Sequence, residues 1–270
     1  MNIKAAYHYV LSNICRSIIV YYIILIVFYS LIFSSIAINT SGNTQYNNNI
    51  NGVESYSVSS SGFSGMEFIT VIFIFIMGYY ALRNNFGTLI QNSLSRKSIF
   101  VNECLVSLTF ALIMSTINEL ILIISKLAAT AASTPRHTIE VSSLAESVYH
   151  MDITGIGGIL FHLTNYLYTF FLFLFTMMVG YLLSLIYYRV NRAIKILLNV
   201  SFLSVVVLYR PIVIKISNER LKEAVSDFLN SIFGITTNQP AFAMITYLIL
   251  SAIASYFIWL LLRRANVREY

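Results

Sequence analysis

Six apolar runs divide the chain, at residues 17–38, 68–82, 99–124, 159–188, 194–208 and 241–262, with polar segments between them. A helix rises about 1.5 Å per residue and the hydrocarbon of a bilayer is about 30 Å thick, so about 20 apolar residues make one crossing. The pattern predicts an all-α, polytopic membrane protein with six transmembrane helices. The second and fifth runs are short. They reach spanning length only by taking in flanking residues: Gly65, Met66 and Glu67 for the second, residues 209–216 for the fifth.

Helices are also expected outside the spans. Ile3, Tyr7, Val10, Leu11 and Ile14 form one stripe, with Lys4, His8, Asn13 and Arg16 around it, which predicts an interfacial amphipathic helix over residues 1–16. In residues 209–240, Leu221, Ala224, Val225, Phe228, Leu229, Ile232 and Phe233 recur at helical spacing behind Asn218, a candidate N-cap, and predict a second. Residues 142–151, after the stop at Pro135, have the length for one short helix. Residues 39–64 are a Ser/Asn/Gly/Thr run too polar to bury a core.

Charge sets the orientation. Lys4, Arg16, Arg83, Arg96, Lys97, Arg189, Arg192, Lys195, Arg263, Arg264 and Arg268 fall on the side of the amino terminus, and Lys126, Arg136, Arg210, Lys215, Arg220 and Lys222 on the other. This excess places both termini in the cytosol and the chain in the cell's inner (plasma) membrane. A soluble fold is excluded by 57% hydrophobic against 10% charged residues. The formal charge of +6 sits at span ends, so it reads as a topology signal and not as a nucleic-acid stripe. Cys15 and Cys104 both fall near the cytosolic face, where thiols stay reduced. The first apolar run exceeds a signal peptide's core and is expected to be retained.

Residues 83–100 carry the most specific pattern. Phe86, Leu89, Ile90 and Leu94 make an i, i+3, i+4, i+8 stripe, with Asn84, Asn85, Gln91, Asn92 and Ser93 off it, before Ser95, Arg96 and Lys97 restart the chain into the third span. A short cytosolic helix with an apolar edge is expected, covered by a partner or resting on the inner leaflet.

With these elements in order, the chain resembles the permease subunit of an ATP-binding-cassette transporter of the type 2 exporter family. The likeness runs over residues 1–270 as a single permease domain. Its sharpest point is residues 91–100, Q-N-S-L-S-R-K-S-I-F, similar to the G-x-S-R-K-x-I-F phrase that enters the third span in that family, with Asn92 or Ser93 where Gly is usual. The resemblance implies that residues 83–98 are the coupling helix. Phe86, Leu89, Ile90 and Leu94 would then dock on a cytosolic ATPase subunit, and Arg96 and Lys97 would anchor the turn. It also implies a second permease copy or a related permease, ATP and Mg bound only by the partner, and outward movement of a hydrophobic peptide or amphiphile by alternating access.

Missing motifs agree with that division of labour. The chain has no G-x-x-x-x-G-K-[ST], no H-E-x-x-H and no G-x-S-x-G, and its four histidines are scattered, so neither ATP hydrolysis, nor a metal site, nor a catalytic nucleophile is expected. Charges inside spans cost at least about 2.5 kcal/mol on insertion scales, which singles out Glu119. A structural pair with Lys126, seven residues on, or with another helix is expected for it, ahead of substrate contact. His162 and Asn165 share an i, i+3 face suited to interhelical hydrogen bonds. Glu67 and Glu103 are expected near water, and Gly155, Gly157 and Gly158 to allow close helix approach or a bend at the outer end of the fourth span. Two other readings use the same pattern: a non-transport scaffold, immunity or signalling subunit, and a secondary transporter, which would want midplane charge pairs and interrupted helices.

Overall fold

The computed structural model describes residues 3–40, 66–91, 94–132, 141–149, 156–190, 227–228 and 230–263. They form α1 (Ile3–Thr40), α2 (Met66–Gln91), α3 (Arg96–Ala132), α4 (Leu144–Tyr149), α5 (Ile156–Arg189) and α6 (Pro240–Arg263), with no strand among the described residues. Stretches of α1, α3, α5 and α6 are long and apolar enough to cross a membrane: Lys4–Val27, Arg96–Ala131, Gly158–Arg189 and Pro240–Arg263. The apolar part of α2, Glu67–Ala81, is shorter than a full crossing. The fifth run, 194–208, lies outside the described residues. The chain is therefore all-helical, with four candidate spans in the described part.

Apolar and polar positions are inverted relative to a water-soluble bundle. Ile24, Ile124, Ile159 and Leu160 are each more than 60% exposed, whereas Glu67, Glu103, Asn118, Glu119 and Asn165 are buried. Lipid solvates the first set at no cost, and only other side chains can satisfy the second.

Contacts at the ends fix the helix directions. Asn118 of α3 meets Glu67 at the start of α2, and His162 and Asn165 near the start of α5 meet Glu119. At the opposite end Arg96, the first residue of α3, meets Arg263, the last of α6. Tyr168 faces Tyr247, and Ser255 donates to the Met178 sulfur. Thus α2, α5 and α6 run from a Glu67 end to an Arg96 end, and α3 runs back. Tyr7 on Thr109 and Tyr21 on Thr70 set α1 alongside α3 in direction.

α5 is the central helix, packed mainly on α2 and α6 and then on α3. It approaches α2 so closely that backbones touch. A Cβ added to Gly180 would lie 2.5 Å from the Phe75 carbonyl oxygen, and one on Gly78 2.5 Å from that of Met177. Small residues let two helices make backbone-level van der Waals contact, the main attraction available in lipid. The close approach thus falls on Gly78 and Gly180. Of the three glycines expected to provide it, Gly158 is half-buried, Gly155 lies outside the described residues, and no side-chain environment is described for Gly157.

The helix expected at the interface over residues 1–16 is no separate element, because α1 continues unbroken through it. Ala6, Val10, Ile14, Ile18 and Leu25 are buried. The apolar stripe is spent on the chain's own helices. Likewise, no separate helix follows α2. The helix runs on to Gln91, and only residues 92–95 separate it from α3. Ahead of α6, helical residues 230–232 end on Gly234, whose φ of 67° is the left-handed conformation that glycine adopts without a Cβ penalty. Ile235 N–H donates to Asn230 O (2.8 Å) and Gly234 N–H to Ser231 O (3.2 Å), a Schellman end, and Pro240 then opens α6 at its first position. The earlier part of the helix expected there, with Asn218, Leu221, Ala224 and Val225, lies outside the described residues.

Candidate functional site

Two clusters of chemically distinctive residues lie at opposite ends of the bundle. At the Glu67 end, helical periodicity turns Asn118 and Glu119 inward from α3, and His162 and Asn165 share a face of α5. His162 Nδ1 is hydrogen-bonded to Glu119 Oε1 (2.6 Å) and Asn165 Nδ2–H donates to Glu119 Oε2 (2.7 Å), so both carboxyl oxygens are taken by α5. Glu119 thus finds its partner on another helix, one of the two alternatives for it, and His162 and Asn165 make their expected interhelical bonds. Lys126 pairs elsewhere: its Nζ donates to Glu146 Oε2 at 2.9 Å and lies 4.3 Å from the Phe161 ring centroid.

Glu67 departs from its expected place near water. It is 4% exposed, accepts Asn118 Nδ2–H at 3.3 Å, and accepts the backbone N–H of Leu144. The second of these donors opens α4, a short helix at the same end. Ser143 and Glu146 form a capping box: Glu146 N–H donates to Ser143 Oγ (3.1 Å) and Ser143 N–H to Glu146 Oε2 (3.2 Å). Tyr149, packed with Tyr168 and Ala243, donates its hydroxyl to Phe233 O at 2.7 Å. Burial, with a smaller contribution from Tyr247, pushes this hydroxyl up to about 12, so it remains a donor at neutral pH. Through its side chains and termini α4 ties together α2, α3, α5 and the segment before α6.

At the Arg96 end the residues of the expected docking stripe have separate fates. Leu89 is fully buried in the main apolar core and Leu94 is half-buried against it. Leu89 therefore lies on no exposed edge, since the continuing α2 carries it inward. Phe86 and Ile90 belong to α2, but their side chains lie outside the described set. Leu94 N–H donates to Leu89 O (3.3 Å), and Ser95 caps α3 by accepting Ser98 N–H on its Oγ (3.1 Å). Arg96 and Lys97 are exposed as expected of an anchoring pair, and Arg96 Nη1–H donates to Arg263 O at 2.7 Å. A guanidinium on the last carbonyl of α6 satisfies an orphan acceptor at the negative end of a helix dipole. Phe100 against Trp259, with ring centroids 5.4 Å apart, extends this contact one turn inward.

Deeper in α3, Asn102, Glu103 and Ser107 are buried without a hydrogen-bond partner among the described residues, so Glu103 also departs from its expected place near water. An apolar groove of about 600 Å³ opens between α5 and α6 at the same end, lined by Leu182, Ile186, Phe257, Leu260 and Leu261, with Arg189 as its charged member. Cys15 and Cys104 are both free, and no three metal-ligating side chains come together among the described residues.

Sequence reasoning missed Glu67, Asn118 and Glu146 as parts of one site. The Ser143-x-x-Glu146 spacing was a readable cap signal, but nothing local marks that the cap folds back onto a residue 77 positions away. No protein-family model, curated protein or solved structure matches this chain.

Proposed function

We propose that this chain is the membrane-embedded subunit of an ATP-driven exporter, moving a hydrophobic peptide or amphiphile outward with energy from separate cytosolic ATPase subunits. The observation that carries this reading is the build of residues 89–98. The tip is polar and exposed at Gln91, Ser95, Arg96 and Lys97, while Leu89 and Leu94 root it in the core and Arg96 lashes it to the end of α6. A push on such a tip is passed to α2, α3 and α6 together, as a rigid lever requires. Docking then belongs to the exposed polar residues, and the leucines transmit the motion.

Three further features support the reading. The last turns of α5 and α6 lie at the same end, and the run 194–208, the fifth expected span, falls between them in the sequence; with α2 extended by its flanks, this reading counts six spans. Lys4, Arg96, Lys97, Arg189 and Arg263 gather toward the Arg96 end, as the positive-inside rule asks of a cytosolic face in the cell's inner (plasma) membrane. The apolar groove with a single guanidinium suits an amphiphile.

ATP and Mg belong to the partner, because the chain carries no phosphate-binding loop. Six helices with few polar groups enclose a narrow path, so a second permease copy or a related permease completes it. The test is purification of the chain from its native membranes with its associated proteins, followed by an ATPase assay. An ATPase that co-purifies with wild type and is lost from the Arg96→Glu/Lys97→Glu variant supports the proposal. Association without any change of ATP turnover returns the chain to the scaffold reading.

A further inference from the structure

The apolar groove between α5 and α6 has a depth and a charge that fit one class of molecule. Leu182, Ile186 and Arg189 follow one another at i, i+4 and i+7 on α5, and Phe257, Leu260 and Leu261 at i, i+3 and i+4 on α6, so one stripe from each helix walls it. Leu182 and Leu261 pack against the main core, while Phe257 and Leu260 are exposed. The floor is therefore built into the bundle, and the rim opens sideways, toward lipid in a membrane. The volume of about 600 Å³ falls within the range of small-molecule sites, about 300 to 1,000 Å³.

The mouth of the groove has a fixed height. Arg189 stands in the last turn of α5, directly after Tyr187 and Tyr188, aromatic residues of the kind that collect where hydrocarbon meets headgroups. Leu182 lies about two turns, or about 10 Å, further in. A guanidinium at headgroup height thus tops an apolar wall that runs down into the acyl layer. The charge around this mouth has one sign. Arg263 ends α6, Arg96 and Lys97 open α3 beside it, all three are exposed, and residues 182–189, 256–263 and 96–99 hold no acid. A guanidinium carries several N–H donors, so Arg189 can hold a phosphate together with a protein acceptor.

We infer that this groove is a binding site for an anionic phospholipid of the leaflet at the Arg96 end, with the headgroup phosphate on Arg189 and one acyl chain laid along Leu182, Ile186, Phe257 and Leu260. Both parts of the ligand are needed. The cations at the mouth favour a net negative headgroup over a zwitterionic one, whose own cation they repel, and the apolar floor offers a free phosphate nothing. Such a lipid is the amphiphile that the membrane itself supplies. Seated there, it fastens the last turns of α5 and α6 to each other and stabilises the chain by mass action. The site is independent of export, and lipid retention is read on the chain without an ATPase.

The test is native mass spectrometry of the chain in detergent, given equal amounts of phosphatidylglycerol and phosphatidylcholine with the same acyl chains. Wild type should retain one phosphatidylglycerol in preference to phosphatidylcholine by about fivefold, the factor that one basic group near a membrane surface supplies. Arg189→Gln should erase that preference. Leu260→Trp, which fills the open rim, should reduce retention of both lipids, and Lys4→Gln, at an exposed cation of α1, should leave both unchanged. Glycerol 3-phosphate, which has the headgroup's phosphate without tails, should not displace the lipid. If Arg189→Gln fails to fold, Leu260→Trp and this competition decide. Equal retention of the two lipids by wild type, or the same loss of preference in Lys4→Gln as in Arg189→Gln, overturns the inference. So does displacement by glycerol 3-phosphate, a peptide held in place of lipid, or dimerisation that Leu260→Trp abolishes with bound lipid unchanged.

Discussion

At the Glu67 end four segments are joined by buried polar side chains that reach across helices, Glu119 to His162 and Asn165, Glu67 to Asn118 and to α4. The Arg96 end is held by apolar burial at Leu89 and by bonds to backbone at helix termini, Ser95 at the start of α3 and Arg96 on the end of α6. The first kind of junction is brittle, because in a low-dielectric layer each group left without its partner costs its full desolvation. The second tolerates loss of a single bond, since water stands in at an exposed helix end. A junction that must hold or release as a unit is suited to the first kind, and a tip that is pushed by another protein to the second.

This contrast is broken most severely by Glu119→Ala, which strands His162 and Asn165. Unfolding in mixed micelles should show a loss of about 3 kcal/mol. Replacing Glu119, His162 and Asn165 together with leucine should recover much of it, because apolar groups leave nothing unsatisfied. Next comes Leu89→Ala at the other end, where a fully buried side chain leaves a cavity worth about 2 to 3 kcal/mol in the same measurement. Ser143→Ala removes half of the α4 capping box and should cost about 1 kcal/mol, with faster amide exchange confined to residues 143–149. Smallest is Arg96→Ala, which should change stability by less than about 1 kcal/mol because the arginine is exposed. Its effect should appear instead as local exchange at the end of α6.

The sequence made the helices legible because the apolar runs and the 3.6-residue stripes are local signals. Glu119, His162 and Asn165 could be picked out for the same reason, as costly polar residues within apolar runs. Their connection was only half readable. On the helix surface Lys126 stands seven residues above Glu119, but the capping box draws Lys126 to Glu146 and leaves Glu119 to α5. Glu67 was misplaced because its partners, Asn118 on α3 and the Leu144 N–H of α4, are tertiary contacts that no window around residue 67 contains. For Leu89 the direction was misread, since periodicity defines a face without saying whether lipid, partner or the chain's own core covers it. The Gly78 and Gly180 crossing has no short motif on either helix, and emerges only when the two are set side by side.

The account turns on the exposed tip between α2 and α3 acting as a lever. It is tested most directly by ATP turnover of the chain reconstituted in lipid nanodiscs with its co-purifying ATPase, comparing wild type with Arg96→Ala, which cuts the tip's lash to α6 while leaving Lys97, Ser95 and Gln91 in place. The lever account predicts that the variant still binds the ATPase but loses the change in turnover that assembly with wild type produces. Equal turnover in the two assemblies would contradict it.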